Sequence, residues 1–314
     1  MSNADVGRRA DTPAAIPAQG WWQVLKSVYA EGQVDNIGLI AAGVAFYGFL
    51  ALIPLLGALV LTYGLMVAPS EVGRQMQTIS SALPADAAKL INEQLVSIVS
   101  TASSKKGWGL LLALALAFYG ATKGDSAIIV ALNVEYEEAE TRNFVKKTLV
   151  AAAVTLGAVL VTIAGLLAAS AMAYLQHRAG GISPVLAFVI KLASWAVAGL
   201  LASAAVAALY RYAPSRTAAK WRWVSPGALL ATVAWVAMPL GFGLYASHFD
   251  NYNKTYGSLG AVVVLLLCLY LSTYVLLLGA ELNAELEHQT EKDSTVSGEK
   301  PLGHRRAKMA DEVA

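Results

Sequence analysis

Cysteine is nearly absent from this sequence: Cys268 stands alone inside an apolar run, so the chain can close no internal disulfide and build no thiolate metal cluster. Charge is scarce as well. Only 14% of the 314 residues are Asp, Glu, Lys or Arg, against roughly 25% in an average soluble domain. The four histidines, His177, His248, His288 and His304, are scattered without HxH or HExxH spacing, so no metal centre is expected from them. Walker, GxSxG and CxxC motifs are missing too, which leaves an enzyme without its usual inventory. A net charge of +2 with no concentrated basic face gives no case for nucleic acid. The first twenty residues contain no apolar signal-peptide core, and the first hydrophobic run is expected to serve as its own insertion signal.

What the sequence has is grease in long runs. Hydrophobic residues make up 57% of it, and six segments reach the about 20 apolar residues that a hydrocarbon core requires. They fall at 37–66, 108–134, 148–174, 184–210, 223–247 and 259–284. The expected fold class is therefore all-α, a polytopic membrane protein with six transmembrane helices. Residues 1–20 and 288–314 read as disordered because they are polar and mixed in charge, and 21–287 as the membrane domain. Before the first span, Trp21, Leu25, Val28 and Tyr29 share a helical face, as an interfacial helix would. Residues 70–104 read as an amphipathic helical hairpin on the outer face.

Lysine and arginine set the expected orientation. Fifteen lie in the N-terminal segment, the second-to-third loop, the fourth-to-fifth loop and the tail, against six in the alternate loops. Both termini are thus expected in the cytoplasm.

Three stretches, DNIGLIAAGVAFYGFLALIPLL, FYGATKGDSAIIVALNVEYEEAETRNF and LYASHFDNYNKTYGSLGAVVVLLLCLYLSTYVLLLGAELNAELEH, resemble the YihY/BrkB family of bacterial inner-membrane proteins. The resemblance runs from about Trp21 to His288 and is most specific in the last stretch. It implies a multi-pass inner-membrane protein. The family's labels, virulence factor and formerly ribonuclease BN, state no molecular mechanism.

Charged residues within spans are functional candidates because they are costly in lipid. Lys123 and Asp125, with Ser126 and Asn133 further along the same helix and Lys191 on the fourth, are candidates for a polar cavity or transport path. Residues two apart on a helix point about 200° apart, so Lys123 and Asp125 each need another partner. Lys191 is a candidate for Asp125, and Asp35 or Glu281 for Lys123. The favoured reading is blander: the pair lies near the inner interface with Lys123 reaching for headgroups. Glu281 and Glu285 lie one helical turn apart, but Glu281 is about 33 Å along the helix from Leu259, at the end of the core. With Asp35 they read as interfacial carboxylates, the helix pair partnering Arg142 or Lys146, in preference to a proton relay. Tyr252, Asn253, Tyr256, Gly257 and Ser258 open the last helix, where free N–H groups suit an anion or lipid headgroup; an aromatic-belt hairpin is the favoured alternative. Pro54 and Pro239 lie mid-span as hinges or, more commonly, fixed kinks.

The functional expectation is a transporter or flippase of a lipid-like or amphiphilic envelope component, without catalysis, cofactor or metal. A membrane scaffold for envelope assembly is the alternative. Membrane lipids are the expected partners, with no nucleic acid; a homo-oligomer and envelope-protein partners stay open.

Overall fold

Long apolar runs leave a chain no way to satisfy its backbone in lipid except by coiling, so long helices dominate. The computed structural model describes residues 6–64, 124, 126–154, 156–157, 184–247, 258–296 and 298–314. A short 3-10 turn at Pro13–Ala15 precedes α1 (Ala18–Val34) and α2 (Ile37–Gly64). Next come α3 (Ser126–Glu135) and α4 (residues 144–154). Then follow α5 (Pro184–Tyr212), α6 (Trp221–Ser247), α7 (Ser258–His288) and the short α8 (Lys308–Asp311). No strand is present among the described residues beyond one isolated bridge between Ala219 and Thr295.

By length and composition two described helices can cross a membrane, α5 over Phe188–Tyr212 and α7 over Val262–His288. A third arises if α1 and the start of α2, bent at the break between them, form one broken span. The helices at 37–64, 184–212, 221–247 and 258–288 coincide with four of the six expected segments. Of the second and third segments only α3 and part of α4 are described, and the hairpin at 70–104 lies outside the described residues. On α5, Phe188, Leu192, Trp195 and Leu200 are each more than half exposed, and on α6 Leu229, Val233 and Trp235 are too. Apolar exposure on this scale suits lipid, not water.

The chain divides into two units. One consists of residues 38–128 and 237–274. Within it Ala41, Val44, Ala45 and Ala51 are buried on α2, and a Cβ on Gly38 would come 3.4 Å from the Tyr270 hydroxyl of α7. Small residues here let helices approach closely.

The other unit, residues 1–37, 129–236 and 275–314, carries the polar architecture. Here α6 and α7 meet backbone to backbone at Gly227 and Gly279. The Gly227 N–H donates to Asn283 Oδ1 at 2.8 Å, and Asn283 Nδ2 donates to the Val224 carbonyl at 3.1 Å. Tyr210 of α5 donates its hydroxyl to the Leu276 carbonyl at 2.6 Å.

Two expectations fail in this unit. The tail and the N-terminal segment, read as disordered, are folded onto each other and onto the α5–α6 loop. Gln289 donates to the Val6 carbonyl, Thr290 Oγ1 to that of Ala10, and the Glu291 N–H to that of Arg8. The Lys220 and Val296 N–H groups bond the Ser294 and Ala218 carbonyls. Mixed charge misled because these polar side chains satisfy buried backbone rather than water. Buried Arg305 holds the tail, donating to the carbonyls of Glu291, Lys292, Lys300 and Ala310. Arg305→Ala removes all four bonds, each worth about 1.5–3 kcal/mol where charge is involved. It is expected to free the tail for rapid trypsin cleavage after Arg306, which Ala307 follows, while the membrane helices stay intact, as read by limited proteolysis.

Candidate functional site

Three chain segments end at one point in the second unit. Asn36, at φ 56°, takes the left-handed conformation that asparagine tolerates and stops α1, leaving Asp35 at its C-cap. Helix α3 closes with Glu137 at φ 51°: the Glu138 N–H reaches the Asn133 carbonyl at 2.7 Å and the Glu137 N–H that of Val134 at 2.8 Å. This is the paired bonding of a Schellman ending, and it fixes Glu135 in the last turn. The third segment is the polar end of α7, ELNAELE, which brings Glu281.

One carboxylate oxygen from each of Asp35, Glu135 and Glu281 lies within 4.8 Å of the other two. Glu135 and Glu281 are each 1% exposed, while Asp35 is half-buried. Both oxygens of Glu135 are buried without a hydrogen-bond donor, since a facing carboxylate offers none unless it takes up a proton. Among the described residues no lysine or arginine pairs with any of the three. Asp35 and Glu135 also stand at helix C-termini, where the backbone dipoles disfavour anions. Burial raises the Asp35 carboxyl above its usual range, and Glu137, Glu31 and Glu285 push it the same way.

Two other acidic groups at this end of α7 are matched. Glu285 faces His288 Nδ1 at 3.8 Å, and Glu287 takes Arg216 Nη2 at 2.5 Å and the Ser294 hydroxyl at 2.6 Å. Glu281 and Glu285 were expected as water-exposed interfacial groups paired with Arg142 or Lys146; they are buried instead. The folded termini sheathe the end of α7, and Arg142 is held by Glu140, donating from Nε at 2.8 Å and Nη2 at 2.7 Å.

Asn133 does not face an open cavity. Its Nδ2 donates to Glu140 at 3.2 Å and its Oδ1 accepts from the Ser215 N–H at 2.7 Å, joining α3 to the α5–α6 loop. Ser126 begins α3 half-buried. Lys123, Asp125, Tyr252, Asn253, Tyr256 and Gly257 lie outside the described residues, as do the side chains of Lys191, Ser258, Pro54 and Pro239. Pro54 and Pro239 do fall inside α2 and α6. Glu135, Arg216 and Glu287 were missed from sequence. The acidic run EYEEAE directly after an apolar span was the available signal.

The bidentate Arg142 contact is the first cause that holds the Glu140 carboxyl down at about 2. A depressed carboxyl adds stability above its unfolded value near 4.5, and that contribution disappears as pH falls toward 2. Glu140→Gln is expected to cost about 1 kcal/mol at pH 7, as a partly exposed pair does. It is also expected to flatten the acid limb of stability below pH 4.5, measured by denaturation midpoints across pH.

Comparison with known proteins gives the chain its relatives. Residues 28–302 match the family described as virulence factor BrkB. The chain is 30% identical over 273 residues to the ribonuclease-like protein YfkH of Bacillus subtilis, covering 85% of this chain and 96% of that one. It is 28% identical over 290 residues to a UPF0761 membrane protein of Rhodospirillum centenum and 26% over 258 to one of Paraburkholderia xenovorans. The matches span 60% and 57% of the length of those two relatives. No solved structure matches significantly. The chain belongs to the BrkB family, a family of membrane proteins.

Proposed function

We propose that this BrkB-family protein is an ion-coupled transporter or flippase of the bacterial inner membrane, moving a lipid-like or amphiphilic envelope component. The observation that carries the reading is the set of three close carboxylates, two of them buried, without a basic partner among the described residues, at the polar end of a membrane-length helix. Ionisable groups so placed are expensive and mark ion or proton paths more often than they mark stability. The exposed apolar faces of α5 and α6 give a lipid-soluble cargo a surface to follow. Helix α1 adds a headgroup-level contact. Its buried side is Gly20, Val24 and Val28, whereas Trp22, Leu25 and Tyr29 are exposed and Lys26 lies 5.5 Å from the Trp22 ring. That combination of aromatic, aliphatic and basic groups suits an interface. In this reading both termini are cytoplasmic, the partners are membrane lipids, and no catalytic step is involved.

The test is purified full-length protein in liposomes. Fluorescent phospholipid is expected to cross faster than in protein-free vesicles. Glu135→Gln is expected to slow it about tenfold, a typical coupling between linked sites. Glu291→Gln, an exposed tail carboxylate, is expected to leave the rate unchanged. Rates equal to empty vesicles for phospholipid and for lipid A precursors alike count against transport of these cargoes.

A further inference from the structure

We propose that Asp35, Glu135 and Glu281 together hold one divalent metal ion. The spacing comes first. Hard cations such as Ca²⁺ sit 2.3–2.6 Å from oxygen, and smaller ones about 2.0–2.1 Å. Ligand oxygens around one Ca²⁺-sized ion are therefore at most about 5 Å apart, and the oxygens of this trio lie within 4.8 Å of one another; a smaller ion draws them in to about 4 Å. Three carboxylates acting bidentately offer six oxygens, a full shell for such an ion.

The second observation is independent of the spacing. Glu135 is 1% exposed, and neither of its oxygens has a donor, although it points into the cluster. A buried carboxylate left so is costly unless a cation or a proton meets it. The surroundings favour the cation. Every other buried carboxylate on this end of α7 has a partner, Glu287 in Arg216 and Glu285 in His288, so the protein does supply counter-charges where it needs them. Lys308, the cation acting on Asp35, is engaged with Glu137 on the surface. Helix C-termini at Asp35 and Glu135 add negative potential aimed at the same point. A divalent ion there joins α1, α3 and α7.

This inference deepens the transport reading, since it names what the acidic site takes up, and binding is measured without transport so the two can fail separately. Full-length protein in detergent micelles is stripped with chelator and titrated with Mn²⁺, followed by its paramagnetic resonance signal. The expected result is one saturable Mn²⁺ per chain, displaced by Ca²⁺ or Mg²⁺. Asp35→Asn and Glu135→Gln are expected to weaken binding by about tenfold or more, at least the loss seen when ligand-supporting groups are removed. Glu137→Gln, at the surface, is expected to bind as the parent does. Asp35 is half-buried at the helix break, so its variant remains informative if Glu135→Gln fails to fold. Absence of saturable binding at millimolar Mn²⁺, or binding undiminished in Asp35→Asn, overturns the proposal and leaves protons to neutralise the cluster. Metal binding without lipid flux sinks the transport reading alone; flux without metal binding sinks this inference alone.

Discussion

Arg216→Met is expected to lower the unfolding free energy by about 3–5 kcal/mol, the cost of stranding a buried charge. Arg216 and Glu287 pair at 2.5 Å with side-chain exposures of 2% and 0%, and the guanidinium also lies 4.8 Å from the Tyr136 ring centroid. Removing the cation leaves Glu287 with only the Ser294 hydroxyl. The ion pair itself is a weak stabiliser, because desolvation offsets most of its attraction. The double variant Arg216→Met with Glu287→Gln is therefore expected to recover most of the loss, since Gln still accepts from Ser294. SDS-titration midpoints of the parent, single and double variants check this. A double variant as unstable as the single one would mean that Arg216 acts through Tyr136 or packing instead.

The second large effect lies at the crossing of α6 and α7. A Cβ on Gly227 would collide with the Gly279 carbonyl and come 2.6 Å from the Asn283 amide nitrogen. One on Gly279 would sit 2.5 Å from both the Gly227 carbonyl and the Tyr210 hydroxyl. Rigid backbone cannot yield there, so the helices must separate and the Asn283 bonds break with them. Gly227→Ala is expected to cost about 3 kcal/mol or more, at the upper end for overpacking. Gly199→Ala on α5 is the contrast. Its Cβ meets nothing within 4 Å, and relief of glycine's flexibility is expected to stabilise by about 0.5–1 kcal/mol. Thermal midpoints in detergent separate the two outcomes.

Helix positions were legible in the sequence because uninterrupted apolar runs leave little choice: α5, α6 and α7 begin and end within a few residues of the runs 184–210, 223–247 and 259–284. The terminal fold was not legible. Nothing local in HQTEKDSTV announces that Thr290 will bond Ala10 or that Ser294 will accept from Lys220, since both are long-range choices. The acidic cluster was half legible. Asp35 and Glu281 were picked out as charges at span ends, but Glu135 looked like the start of a polar loop. Only the convergence of α1, α3 and α7 turns three scattered carboxylates into one site. Depth along the helix suggested solvated carboxylates at Glu281 and Glu285, and that argument failed because both are buried, Glu281 against Asp35 and Glu135 and Glu285 against His288.

On this proposal the carboxylate cluster couples an ion to movement of an amphiphile across the bilayer. The most direct measurement is fluorescent-lipid flux in proteoliposomes under imposed Mn²⁺ and proton gradients, for the parent and for Glu281→Gln. Flux in the parent is expected to rise or fall with one of the two gradients, and Glu281→Gln to lose that response. Flux indifferent to both gradients in the parent, or an unchanged response in Glu281→Gln, contradicts it.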